Sequence, residues 1–129
     1  MYKTGILNSD ISKVLSDLGH TDRIVIADCG LPIPKGVRKI DLALTFGVPS
    51  FENVFEIVLK HMSAQKMIFA EEIKTENKAL FEKVSQTKVE QQFVSHETFK
   101  VLTQDTVAII RTGEATPFAN VILESDVLF

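Results

Sequence analysis

The chain is poor in several features that would announce a class of protein. Its 129 residues hold one cysteine, Cys29, so no internal disulfide can form, and a reducing, cytoplasmic setting is the expectation. No run approaches the roughly 18 uninterrupted apolar residues that cross a bilayer, which predicts no membrane contact. The opening residues, Met1-Tyr2-Lys3-Thr4-Gly5, lack the apolar stretch of a secretory leader. Nor is there a basic block. With 14 Lys+Arg against 17 Asp+Glu the formal net charge is -3 and the charges are interspersed, which excludes the positive stripe that nucleic acid demands. Glycine is missing where phosphates would need it: there is no Gly-x-Gly-x-x-Gly and no Gly-x-x-x-x-Gly-Lys-Ser/Thr, so no nucleotide cofactor is expected. A Gly-x-Ser-x-Gly elbow for a serine nucleophile is absent as well.

What remains is ordinary globular material. Hydrophobic residues make up 45% and charged residues 24% of the chain, and the length suits a single domain spanning residues 1–129. A chain of this size buries roughly two-thirds of its unfolded surface, enough for a core without disulfides or structural metal. Ile11, Val14, Leu15 and Leu18 follow helical spacing, with Asn8 or Ser9 to cap the start and Gly19 placed for a left-handed C-cap, so a helix is predicted over 9–18. Arg23 to Ala27 is apolar and β-branched almost throughout, the pattern of a strand covered on both faces. Two prolines make 31–36 a loop, and a second strand is predicted over Ile40 to Leu44. Pro49 opens a helix that keeps its period to His61 and Met62, and Lys66 to Ala70 is the next strand. Asn77 to Val84 reads as a shorter helix and Val89 to Val94 as a strand. A short helical turn follows His96, then the apolar segments Val107 to Ile110 and Val121 to Leu123. Strands alternating with helices predict an α/β layered fold, a mostly parallel central sheet flanked by helices.

In such sheets ligands bind beyond the carboxyl ends of the strands, which singles out Asp28, Glu71, Glu72, His96 and Arg111. His20 sits apart, in a Gly-His-Thr-Asp turn, and is either a hydrogen-bonded turn residue or a catalytic one. His61 is read as a helix C-terminal residue facing the dipole. Cys29 is read as a small buried apolar residue. No two of His20, Asp28 and His96 stand at a ligand spacing such as i, i+4, so no metal site is predicted. Arg111 and Glu114 either bind substrate or pair with each other. Phe118 beside Asn120 is a core aromatic or, with its amide neighbour, a platform for a sugar.

Together Leu18-Gly19-His20-Thr21-Asp22, Ile26-Ala27-Asp28-Cys29-Gly30-Leu31-Pro32-Ile33-Pro34, Ile40-Asp41-Leu42-Ala43-Leu44 and Ile110 through Asn120 resemble the D-ribose pyranase family, related to the fucose mutarotases. The resemblance spans essentially the whole chain. It implies an enzyme that interconverts the β-pyranose and β-furanose forms of D-ribose and supplies ribokinase, without a cofactor. It also implies a cytoplasmic homo-oligomer, commonly a decamer of two pentameric rings, with sites near subunit contacts. By matching motifs, His20 corresponds to the proton donor, and Asp28 and His96 to substrate-binding residues. Phe118, Ala119 and Asn120 correspond to a Tyr-Ala-Asn substrate segment, and Lys100 to a further polar contact. Phe118 keeps the ring face of the family's tyrosine and drops its hydroxyl. Asn8 and Asp10 stand where relatives often carry histidine.

The implied chemistry suits these residue types. Opening a sugar ring protonates the ring oxygen while the anomeric hydroxyl loses its proton, and histidine, with an unperturbed pKa of about 6.5, both gives and takes near neutrality. The expectation is that His20 shuttles the proton while Asp28, His96 and Asn120 hold the hydroxyls. Two other readings use the same residues: a mutarotase for another monosaccharide such as fucose, and a non-catalytic sugar-binding protein.

Overall fold

A computed structural model describes residues 1–129. In chain order the elements are α1 (Ser9–Asp17), β1 (Arg23–Ala27), β2 (Arg38–Asp41), α2 (Phe51–His61) and β3 (Ala64–Ala70). They continue with α3 (Ile73–Glu76), α4 (Lys78–Val84), β4 (Glu90–Val94), α5 (His96–Leu102), a 3-10 turn (Thr103–Asp105), β5 (Ala108–Arg111) and β6 (Val121–Ser125). No helix is long and apolar enough to cross a membrane.

The six strands form one sheet in the order β2-β5-β1-β6-β3-β4. Parallel pairing joins β1 to β5, β2 to β5 and β3 to β4. Only β6 runs the other way, antiparallel to both β1 and β3. The sheet is therefore mostly parallel, with helices on both faces. Alternation along the central strands divides the core. Ile24 and Ile26 of β1, Met67 and Phe69 of β3, Ile110 of β5, and Val121 and Leu123 of β6 face α1, α2 and α4. Val25, Ala27, Ile68, Ile109 and Ile122 face the other way, onto Leu31 and Phe99 of α5. Fully buried aliphatic side chains of this kind stabilise by about 1.5–3 kcal/mol each relative to exposure, which is why the apolar runs sit at the centre.

The helix ends follow local chemistry. Asn8 caps α1 by accepting from the Ile11 N–H at 3.0 Å, and Ser50 caps α2 by accepting from Asn53 at 3.1 Å. Lys60 and His61 lie in the last turn of α2, where cations complement the dipole. Gly19 is not the left-handed C-cap: α1 ends one residue early, Leu18 turns extended, and its N–H donates to Val14 O. The left-handed residue in this turn is Thr21, at φ 73°. The second strand is shifted, spanning 38–41 rather than 40–44. Its partner β5 ends at Arg111, and Thr112 turns away to donate to Ala27 O, so past the Leu42 N–H to Arg111 O bond no ladder remains. The chain turns instead through Thr45–Val48.

That turn is packed against Gly113. A methyl group on Gly113 would stand 2.5 Å from Val48 O and 2.7 Å from Val48 N, with Thr45 O also in contact. These are backbone atoms and cannot swing aside. Gly113→Ala is therefore expected to destabilise the fold by about 1–3 kcal/mol through overpacking, read as a lower denaturation midpoint with unchanged m-value.

Candidate active site

A cleft of about 230 Å³ opens at the carboxyl end of β1, lined by Asp28, Gly30, Leu31, Pro32, His96, Pro117 and Phe118. Asp28 follows directly on the strand, and its carboxylate is fixed from behind. Asn120, fully buried, accepts from the Asp28 N–H through Oδ1 at 2.8 Å and donates from Nδ2 to Asp28 Oδ2 at 3.1 Å. Asp28 Oδ1 accepts from the Gly30 N–H at 2.9 Å. The aspartate and the asparagine thus form a closed pair between the end of β1 and the start of β6.

His96 is the first residue of α5. Its backbone N–H donates to both oxygens of Glu72, each at 3.1 Å, so an anion sits at the positive helix end and locks the residue in place. The imidazole meets Phe118 edge to face, with ring centres 5.0 Å apart, and lies parallel to Phe99 at 6.5 Å. Its Nδ1 is buried without a hydrogen-bond partner. Phe118 has φ 57°, a left-handed conformation that costs a non-glycine residue of order 1–3 kcal/mol and recurs at functional sites. It is held there on both sides. Asn77 donates to Thr116 Oγ1 and Pro117 O at 2.8 Å each, and the Asn120 N–H donates to Phe118 O.

The remaining residues singled out by sequence divide clearly. Ala119 is fully buried in the helix-facing core, so it places its neighbours rather than lining the cleft. Lys100, one turn beyond His96, is already committed: its ammonium lies 2.8 Å from Glu97 Oε1, and the same hydrogen bond holds Glu97 below its ordinary value. Arg111 does not pair with Glu114. It pairs with Asp41 through Nη1, 3.1–3.2 Å from the two carboxylate oxygens, and donates from Nε to Cys29 O. The Ala43 N–H and this guanidinium hold Asp41 below its usual range. Glu114 instead accepts from the Phe51 N–H at 2.9 Å, at the start of α2. Cys29 is half-buried rather than buried.

His20 lies at the opposite end of the sheet. It precedes β1 while Asp28 follows it, and a five-residue strand at about 3.3 Å per residue sets them roughly 16 Å apart. One chain does not bring His20 to Asp28, His96 and Asn120, and it builds no metal site from them. Around His20 the structure places Gln65, whose Oε1 is 3.0 Å from His20 Nε2, and Asp126, whose Oδ1 is 3.8 Å from the same atom.

With this geometry in view, a model of the RbsD / FucU transport protein family matches residues 1–128. The chain belongs to that family. Curated D-ribose pyranases of Staphylococcus haemolyticus and Bacillus subtilis are 64% and 52% identical to it, over all of both chains in each case. The solved structure of Bacillus subtilis RbsD complexed with D-ribose superposes with a TM-score of 0.95, at 52% identity and full coverage of both chains. A fucose mutarotase from Streptococcus pneumoniae in complex with L-fucose shares the fold, with a TM-score of 0.76 at 23% identity, covering 99% of this chain and all of that one.

Glu72 was among the residues singled out at strand ends, but two others that support the site went unseen in the sequence. Asn77 and Gln65 act on partners 39 to 45 residues away, and no local pattern marks them. Glu124 belongs with them. Buried between Arg23 and Gln65, its carboxyl is pushed up by burial and pulled down further by hydrogen bonds from both, so it sits below its ordinary 4.5. A depressed folded-state value contributes stability above 4.5 that is lost as the pH falls through the folded value. Glu124→Gln should accordingly be less stable than the parent at neutral pH, and the gap between the urea midpoints of the two should narrow as the pH falls below 4.5 through the lowered folded value.

Proposed function

We propose that this protein is a D-ribose pyranase, an isomerase that interconverts the pyranose and furanose forms of D-ribose by ring opening and reclosure. The observation that carries the reading is full-length likeness, at 52% identity and a TM-score of 0.95, to a structure complexed with D-ribose. The cleft suits such a ligand: a fixed carboxylate and an imidazole beside the face of Phe118 offer hydrogen bonds to hydroxyls and an apolar surface to ring C–H groups.

Asp28 and His96 bind the sugar hydroxyls, Phe118 lies against the ring, and Asn120 holds the Asp28 carboxylate in position. His20 moves the proton. In opening, the anomeric hydroxyl gives up its proton, the C1–O5 bond breaks and the ring oxygen is protonated. In closure the O4 hydroxyl attacks the resulting aldehyde, losing its proton while the carbonyl oxygen gains one. Each half-reaction returns the histidine to its starting state. Acid–base catalysis of this kind contributes typically a hundred- to ten-thousandfold.

Because His20 and Asp28 stand at opposite ends of β1, the working site is completed by His20 of a second copy. Exposed Leu44, Phe46, Leu128 and Phe129 supply apolar surface for such contacts. The assembly is a cytoplasmic homo-oligomer, a decamer of two pentameric rings, in which residues 1–129 act as one catalytic domain.

Magnetisation-exchange NMR on D-ribose with trace protein tests the activity directly. The parent should accelerate pyranose–furanose exchange, and His20→Ala should lower that acceleration by about 10²–10⁴-fold while sugar binding persists. No acceleration of D-ribose exchange would overturn the reading, and acceleration confined to the anomers of L-fucose would reassign the substrate. A mixing experiment tests the shared site. His20→Ala and Asp28→Asn, each inactive alone, should regain exchange when co-assembled; silence in the mixed oligomer would place both groups in one chain's site.

A further inference from the structure

At the amino end of β1, four side chains outside the sugar cleft form one hydrogen-bonded line. Glu124, on β6, is 7% exposed. Its Oε2 accepts from Arg23 Nε at 2.8 Å and lies 2.7 Å from Nη2, a two-pronged contact with a permanent cation that favours the ionised carboxylate. Its Oε1 accepts from Gln65 Nε2 at 2.7 Å. The other end of the same amide, Gln65 Oε1, lies 3.0 Å from His20 Nε2.

Donor and acceptor inventories give this line a direction. A carboxylate only accepts, so Gln65 turns its NH₂ to Glu124 and its carbonyl oxygen to His20. That oxygen also only accepts, so the shared proton belongs to His20 Nε2. In the neutral ring the free lone pair is then on Nδ1. Asp126 Oδ1, 3.8 Å from Nε2, favours a proton on the same nitrogen. The backbone beneath is clamped to the same strand end. The Thr21 N–H donates to Ser125 O at 3.0 Å, and the Ser125 N–H donates to Asp22 O at 2.8 Å, so both the histidine turn and the carboxylate hang on β6.

We propose that Gln65, oriented by the Arg23–Glu124 pair, is a positioning residue that holds His20 in its Nε2–H tautomer and makes Nδ1 the atom that exchanges protons with the sugar. In opening, Nδ1 takes the proton of the anomeric hydroxyl and passes it to the ring oxygen as the C1–O5 bond breaks. In closing it takes the O4 proton and passes it to the carbonyl oxygen. The Nε2 proton stays on His20 throughout, donated to Gln65 Oε1. This inference rests on His20 being the proton shuttle.

The test reads the tautomer and the rate separately, in the full-length oligomer. Nitrogen-15 NMR of the imidazole should find neutral His20 as a single species protonated at Nε2. Gln65→Met keeps the side-chain length and removes both ends of the amide. It should give a mixture of tautomers and lower kcat for ring exchange by about 10- to 100-fold, with KM changed by no more than about twofold. Protonation at Nδ1 in the parent overturns the proposal, as does a Gln65→Met protein that keeps either the parental kcat or the parental tautomer. If that variant does not fold, the parental tautomer decides alone. A fully active His20→Ala would overturn the shuttle itself and leave the tautomer result standing.

Discussion

The ladder between β6 and β1, from Arg23 opposite Glu124 to Ile26 opposite Val121, runs against the direction of the other five strands and fixes what happens at both ends of the sheet. At its start it delivers Asn120 to the carboxyl end of β1, where the amide closes on Asp28. Near its finish it delivers Glu124 to the amino end of the same strand, where the carboxylate gathers Arg23 and Gln65. A parallel strand in this position would also span both ends, but it would need a crossover connection of a dozen or more residues. The antiparallel return needs only the loop between Arg111 and Val121. That loop is the one carrying Glu114, Phe118 and Asn120, so the connection and a wall of the cleft are the same piece of chain.

The loop's shape depends on contacts from elements far along the sequence. Asn77 grips Thr116 and Pro117 from the head of α4, and Glu114 reaches back to the head of α2. Phe118 can therefore remain in a left-handed conformation that its own side chain disfavours, and its ring edge meets the His96 imidazole. Strain in the backbone at this point is stored in the contact that shapes the cleft. The neighbouring Ala119 shows why the segment is rigid: its methyl is fully buried in the helix-facing core, so the residues on either side of it cannot rotate independently.

Much of this architecture could be read from the chain itself, and the misses have physical causes. The apolar run Arg23 to Ala27 specified a strand covered on both faces, and Asn8, Ser50 and Ser95 sit at helix starts because their side-chain oxygens satisfy otherwise orphaned N–H groups. The second strand was misplaced because Leu42 to Leu44 have strand-like composition, whereas their pairing depends on where β5 ends. The four-residue α3 is too short to show a period. Asp28, His96 and Phe118 were visible at the ends of elements, as were Asn120 and Glu72 that fix the first two, whereas Asn77, which holds the Phe118 loop, and Gln65, which meets His20, are ordinary polar residues until the fold brings their partners to them. The separation of His20 from Asp28 was legible in principle. A strand of five residues stands between them, and its length alone keeps the two groups apart.

That separation bears on the proposed division of labour. A group proposed to hold a sugar must not move, and Asp28 has donors on both carboxylate oxygens and sits on a buried amide. A proton-exchanging imidazole, the role proposed for His20, needs one nitrogen fixed and the other free, and it needs access to solvent when no sugar is present. One nitrogen of His20 faces Gln65, and about half of its side chain is exposed. Two such different environments are hard to build side by side within one small core, because the dry packing that immobilises a carboxylate would also enclose the imidazole. Placing them at opposite ends of one strand lets each end keep the surroundings its chemistry requires, and under the proposed assembly they meet only when copies associate.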